Sequence, residues 1–190
     1  RPVYLLMGAE PYFIDVIADY IEEHCLSEAD KAFNQTIFYG KDTNAVDIVH
    51  EAMQYPLGER RLVMVREIQS LEGESHKSFA DKLAPFAKYL ENPMPSTVLV
   101  LCYKYGTIDK RISIMKAFDK VGAVMESQPI KDYQVESWIK SYVASQGYKI
   151  EDKAVVLMTE YIGVNMSMLV SAIEKLQTAC GTTTKVITAD

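Results

Sequence analysis

Apolar residues fall in short unbroken runs that alternate with longer stretches of helical spacing. Val3 to Met7 is wholly apolar, the pattern of a strand covered on both faces within a parallel sheet. Gly8-Ala9-Glu10 makes a turn, and Pro11 stands at a helix's first position, where proline is well tolerated. The helix places Phe13, Ile14, Ile17, Tyr20 and Ile21 on one face, with Asp15, Asp19, Glu22 and Glu23 turned away. Gln35 to Tyr39 reads as a second strand, stopped by Gly40. Asp42 or Thr43 is placed to cap the next helix, whose inner face is Val46, Ile48, Val49, Ala52 and Met53. A third strand, Leu62 to Val65, is followed by a polar loop over 69–78. A helical stretch then runs to about Leu90, with Pro85 restarting or kinking it. Asn92-Pro93-Met94-Pro95 turns the chain into the strand Thr97 to Cys102. Asp109 to Lys120 reads as a helix and Ala123 to Ser127 as the last strand.

Five strands thus alternate with four helices, which predicts an α/β fold: a mostly parallel sheet with helices on both faces. After Pro129 the texture changes. Three helical segments follow with no clear strand between them: Tyr133 to Gln146, Asp152 to Ile162, and Ser167 to Cys180, each closed by a glycine (Gly147, Gly163, Gly181). The expected organisation is an α/β domain over 1–129 and a small three-helix domain over 130–190. No internal repeat or low-complexity tract interrupts it.

Composition narrows the function more than the fold. In 190 residues, 48% hydrophobic and 24% charged, no apolar run approaches a membrane-spanning length. The first strand begins at residue 3 with neither a starting methionine nor a signal-peptide pattern before it, so a fragment of a longer protein is expected. Cys25, Cys102 and Cys180 are scattered and odd in number, unlike a disulfide framework or zinc cluster, and fit a reducing cytoplasmic setting. A net charge of -6 argues against a free-standing, charge-driven nucleic-acid binder. It leaves room for a local basic face, or for membership of a complex whose other chains hold DNA.

A strand, glycine turn and helix at the start of a parallel sheet is the geometry that presents backbone N–H groups to a phosphate. A working phosphate loop adds a second glycine, a lysine and a hydroxyl, in the spacing G-x-x-x-x-G-K-[ST]. Counted from Gly8, those positions hold Phe13, Ile14 and Asp15. An apolar residue replaces the lysine, and a carboxylate that would repel phosphates replaces the hydroxyl. The third strand ends in Arg66-Glu67, where ATPases of this layout commonly deliver paired acids. No dinucleotide-binding G-x-G-x-x-G follows Met7. His24, His50 and His76 are far apart, and no catalytic Ser/His/Asp set or metal cluster is present in the pattern. ATP hydrolysis is not expected, and no cofactor is implied.

Several segments together resemble the delta-subunit family of bacterial DNA polymerase III clamp loaders. They are Pro2-Val3-Tyr4-Leu5-Leu6-Met7-Gly8-Ala9-Glu10-Pro11-Tyr12; Pro56-Leu57-Gly58-Glu59-Arg60-Arg61 running into Leu62-Val63-Met64-Val65; and Asn92-Pro93 through Leu99-Val100-Leu101, with Lys104 and Asp109-Lys110-Arg111. In the helical part, Gly163 with Leu169, Ile173, Glu174, Lys175 and Leu176 also matches. Each motif is weak alone; their order and spacing cover essentially the whole chain.

The resemblance implies an AAA+-like architecture: a RecA-like domain without a working phosphate loop, a small helical lid, and a C-terminal collar domain beyond the last residue here. It implies a non-catalytic subunit of the polymerase holoenzyme, a nucleotidyltransferase complex. Its partners would be the beta sliding clamp, which it binds and holds open, the gamma/tau and delta-prime subunits, and primed DNA through the complex. The family's clamp-binding element falls on Tyr55, Pro56 and Leu57. Many members carry phenylalanine or an aliphatic where this chain has Pro56, which leaves the anchor residue open among the three. Arg60, Arg61, Lys104, Lys110 and Arg111, with Arg66, are candidates for a basic partner surface. Trp138 and Tyr142 are expected in the small-domain core. The alternatives are a divergent nucleotide-binding enzyme and another AAA+-like loader subunit.

Overall fold

The structure, a computed structural model, describes residues 1–73 and 78–189, with the backbone alone for 181–184. His76 and its neighbours in the expected 69–78 loop lie outside the described residues. By its contacts the chain divides into two compact units, Arg1–Gln128 and Pro129–Asp190.

In the first unit β1 (Val3–Gly8) leads into α1 (Pro11–His24), then α2 (Glu28–Asn34) and β2 (Gln35–Tyr39). Next come α3 (Ala45–Ala52), β3 (Arg61–Arg66), α4 (Phe79–Glu91), β4 (Thr97–Lys104), α5 (Ser113–Val121) and β5 (Ala123–Ser127). The five strands lie in the order β2-β3-β4-β1-β5, every pair parallel, with Leu5 opposite Leu101 and Met64 opposite Val100. The unbroken apolar runs follow from this arrangement, because successive side chains point to opposite faces and both faces are covered. Leu5, Met7, Val63, Val65, Leu99 and Leu101 pack with Ile48 of α3, Phe86 of α4 and Phe118 of α5. Leu6, Leu62, Met64, Val100 and Cys102 pack with Ile14 and Ala18 of α1. Each buried leucine contributes about 1.5–3 kcal/mol of transfer free energy.

The structure departs from the periodicity in several places. The buried stripe of α1 is Ile14 and Ala18; Tyr20 lies outside it, 63% exposed and stacked on His24. α2 has no counterpart in the expected pattern, because its sequence carries no apolar stripe; Ser27 caps it by accepting from the Asp30 N–H. α3 is capped by Asn44 rather than Asp42 or Thr43, through the amides of Val46 and Asp47. Its buried face is Ala45, Ile48 and Ala52, which leaves Val46 and Met53 exposed. α4 runs through Pro85 without a break. β4 extends to Lys104, and α5 starts only at Ser113. Asp109 closes a turn before it, accepting from the amides of Arg111 and Ile112.

The second unit comprises α6 (Asp132–Ser145), β6 (Lys149–Ile150), α7 (Asp152–Ile162), α8 (Met166–Thr184) and β7 (Val186–Ile187). The two short strands pair in parallel, an addition to the helical pattern. Gly163, at φ 68°, ends α7, and Asn165 caps α8, which continues past Gly181. Val135, Ile139, Val143, Val155, Leu169 and Ile173 are buried. Trp138 and Tyr142, one turn apart, are half-buried and stacked on each other. Among the described residues no helix is long and apolar enough to cross a membrane.

Candidate functional site

The turn after β1 is closed by the chain's own groups. Gly8 adopts φ 147°, and a Cβ there would stand 2.2 Å from the carbonyl oxygen of Ser127, so only glycine fits. Ala9 N–H donates to the same carbonyl, the Ser127 hydroxyl donates to the Glu10 carbonyl, and Gly106 N–H donates to the Gly8 carbonyl. Glu10 caps α1, its carboxylate accepting from the Tyr12 N–H at 3.0 Å. In a phosphate loop, free amides at this helix end would face the anion. Here a carboxylate of the protein takes one of them and sets a negative charge at the mouth.

The other phosphate-loop positions have structural partners. Ile14 is fully buried under the sheet, and Phe13 meets Tyr12 edge to face. The Asp15 carboxylate lies 2.7 Å from Lys104 Nζ and 3.7 Å from Arg66. Arg66 also reaches Asp19 and Glu22, each at 2.7 Å. Burial opposes the charge on this guanidinium, but the hydrogen bonds it donates to Asp19 and Glu22 outweigh it and raise the pKa above the ordinary arginine value. The adjacent Cys102 thiol is pushed up to about 12 by burial and is therefore protonated at neutral pH. The charges at this end of the sheet fasten α1 to β3 and β4.

The segment after α3 is built in the opposite sense, with its backbone held and its side chains free. Tyr55 is 80% exposed and Leu57 71%, with Pro56 half-buried between them. Leu57 N–H donates to Asn34 Oδ1 at 2.7 Å, and Asn34 Nδ2 donates to the Leu57 carbonyl at 2.9 Å. Arg61 makes a long bond to the Tyr55 carbonyl at 3.5 Å while paired with Glu51 at 2.5 Å. Glu51 accepts in turn from the Thr36 hydroxyl. Tyr55 and Met53 stand at the rim of a groove of about 540 Å³ lined also by Val49, Pro85, Tyr89 and Met94. Tyr55 and Leu57 therefore do not pack beneath the sheet; with Pro56 they form an apolar projection at a helix end. Their exposure carries no sequence signal, since the same residue types in the same order would serve equally in a core.

The candidate basic residues are not all brought together: Arg66 and Lys104 meet at Asp15, but Arg61 lies at the other end of the sheet. Arg61 pairs in register with Thr97 at the start of β4, whereas Lys104 ends that strand, about 23 Å further along at 3.3 Å per residue. Their charges are also largely matched within the chain: Arg61 by Glu51, Lys104 by Asp15, Lys110 by Glu126 and Arg111 by Asp109. Arg60 is exposed and lies beside Cys25. Sequence alone marked the cations but not the carboxylates that the fold sets against them.

An all-parallel sheet in this strand order, with helices on both faces and a smaller helical unit after it, makes this an AAA+-like α/β chain. The fold is shared with RuvB of Thermotoga maritima, the Holliday junction branch migration motor, at TM-score 0.51 and 16% identity; the match covers 97% of this chain and 57% of that one. Within that class the chain belongs to the DNA polymerase III delta subunit family, whose model matches residues 4–128. It is 26% identical over 183 residues to DNA polymerase III subunit delta of Bacillus subtilis strain 168, covering 95% of this chain and 53% of the relative. It superimposes on the Bacillus subtilis DNA clamp loader delta protein with TM-score 0.75 and 26% identity, over 99% of this chain and 56% of that one. The chain thus spans about half the length of the curated relative it matches.

Proposed function

We propose that this chain is the clamp-binding part of a non-catalytic delta subunit, which docks on one face of the beta sliding clamp and holds its ring open for loading onto primed DNA. The observation that carries the reading is the projection at residues 55–57. Two large apolar side chains are exposed on a backbone fastened by a buried asparagine and an ion-paired arginine. Exposed apolar anchors on an ordered backbone suit a hydrophobic pocket on a partner. The sliding clamp is inferred as the partner because the chain belongs to the DNA polymerase III delta subunit family and the Bacillus subtilis structure it resembles is described as a DNA clamp loader delta protein.

The α/β unit, proposed as residues 1–129, acts as a rigid lever without a nucleotide. Glu10 occupies the helix end that would face a phosphate, and Phe13, Ile14 and Asp15 supply no lysine or magnesium-side hydroxyl. Residues 130–190 correspond to the lid, and assembly with gamma/tau and delta-prime in the cytoplasm rests on a collar supplied by the whole subunit. Arg60, Lys110 and Arg111 of the basic set are exposed, and Arg60 is best placed to meet a partner because, among the described residues, no carboxylate is paired with it. In a pull-down against purified sliding clamp from the same source, the triple change Tyr55→Ser, Pro56→Ser, Leu57→Ser is expected to abolish capture while thermal melting barely moves. Lost folding, or undiminished capture, would refute the reading.

A further inference from the structure

We propose that Asn34 is the positioning residue of the apolar projection: its buried side-chain amide pairs with both backbone groups of Leu57 and so fixes how Tyr55 and Leu57 are presented to the sliding clamp. The inference rests on the clamp-binding reading above. Asn34 ends α2 and is the one buried residue of that helix, at 1% exposure; the neighbouring Phe33 is exposed. A buried polar side chain with no buried apolar companion on its own helix calls for an explanation, and its two bonds supply one. An asparagine amide carries a donor and an acceptor side by side, as a peptide group does. At 2.7 Å and 2.9 Å to Leu57 N and O it makes the two-bond exchange that a neighbouring strand would make. The contact joins positions 23 apart in sequence.

The physical need is plain. Side chains that point into solvent cannot order their own loop by packing, so the order must come from backbone bonds. On the other side Arg61 holds the Tyr55 carbonyl, and Gly58, at φ 134°, lets the chain turn away immediately after Leu57. A projection ordered in advance avoids the cost of ordering when the clamp binds.

The test uses the full-length subunit and purified sliding clamp from the same source. Asn34→Asp keeps the shape and the acceptor for Leu57 N–H but sets a second acceptor against the Leu57 carbonyl; Asn34→Ala removes both bonds. Each variant is expected to speed hydrogen exchange at the Leu57 amide and to weaken clamp affinity about tenfold. In a Leu57→Ala background the loss is expected to shrink at least about threefold, because part of what Asn34 positions is gone. An undiminished loss there would mark a general structural effect and overturn the proposal. Full affinity in Asn34→Asp with a deprotected Leu57 amide would overturn it as well.

If the Asn34 variants do not fold, Gly58→Ala disturbs the same turn through its positive φ. A Cβ there would find no atom nearer than 3.7 Å. Weakened clamp binding, with melting lowered only by the local strain of a side chain at that φ, is the expected result, and unchanged binding would overturn the proposal. Should the triple change at 55–57 leave clamp binding intact, both readings fall. Should that change abolish binding while Asn34→Asp does not impair it, only the role of Asn34 falls.

Discussion

Leu57 and Leu62 stand five positions apart and are expected to respond to alanine in opposite ways. Leu62 lies in β3 at 0% exposure, against Met64, Val100 and Cys102. Truncating it removes transfer energy and leaves a cavity, which costs about 2–5 kcal/mol. At about 2–4 °C per kcal/mol for a chain of this size, melting should fall by about 4–20 °C. Leu57 is 71% exposed in the free protein, so Leu57→Ala should change folding by under about 0.5 kcal/mol. Complete burial of a leucine is worth about 1.5–3 kcal/mol, so covering the exposed fraction contributes about 1–2 kcal/mol. That corresponds to about a 5- to 30-fold weaker clamp affinity. Melting by circular dichroism and titration of labelled sliding clamp, run on both variants, give the comparison. A Leu57→Ala protein that melts as low as Leu62→Ala, or that binds clamp within twofold of the unaltered protein, would refute the reasoning.

Gly8→Ala is expected to destabilise the first unit by about 2 kcal/mol or more, because the new Cβ meets Ser127 backbone at a positive φ; denaturant unfolding within about 0.5 kcal/mol of the original would contradict this. Arg66→Met removes the cation shared by Asp15, Asp19 and Glu22, whose side chains are 37%, 66% and 30% exposed. After allowance for solvent screening the expected loss is about 1–3 kcal/mol, and Glu22→Gln in that background should recover part of it; equilibrium unfolding of the two variants measures both. Hydrogen bonds from Arg111 hold the Asp109 carboxyl down at about 2, against 3.8 for the free group. Its stabilising contribution is then complete above pH 3.8 and disappears as pH falls through about 2; carboxyl titration by NMR would expose the error if the group titrated at its free value.

Much of this was legible because the inner strands β1, β3 and β4 carry unbroken apolar runs, and only a sheet covered on both sides asks for them. Glycine and proline marked the turn at Gly8, the start of α1 at Pro11 and the end of α7 at Gly163. α2 escaped because Glu-Ala-Asp-Lys-Ala-Phe-Asn has no apolar stripe; the available signal was Ser27 with an acid three residues on, a helix-start pattern. The misassigned cap of α3 is an error of one or two residues among neighbouring candidates, Asp42, Thr43 and Asn44, all with side-chain oxygens.

The sequence by itself determined that the strand–turn–helix at residues 3–15 lacks the groups a phosphate needs, because that conclusion depends on which residue types are present in a short local stretch. The tertiary structure decided where the charges and the apolar side chains end up. It set Lys104 against Asp15 and Arg61 against Glu51, and put Arg61 and Lys104 at opposite ends of the sheet. It also left Tyr55 and Leu57 in solvent above the buried amide of Asn34. Exposure and pairing are properties of segments distant in the chain that meet only on folding, so no local pattern encodes them.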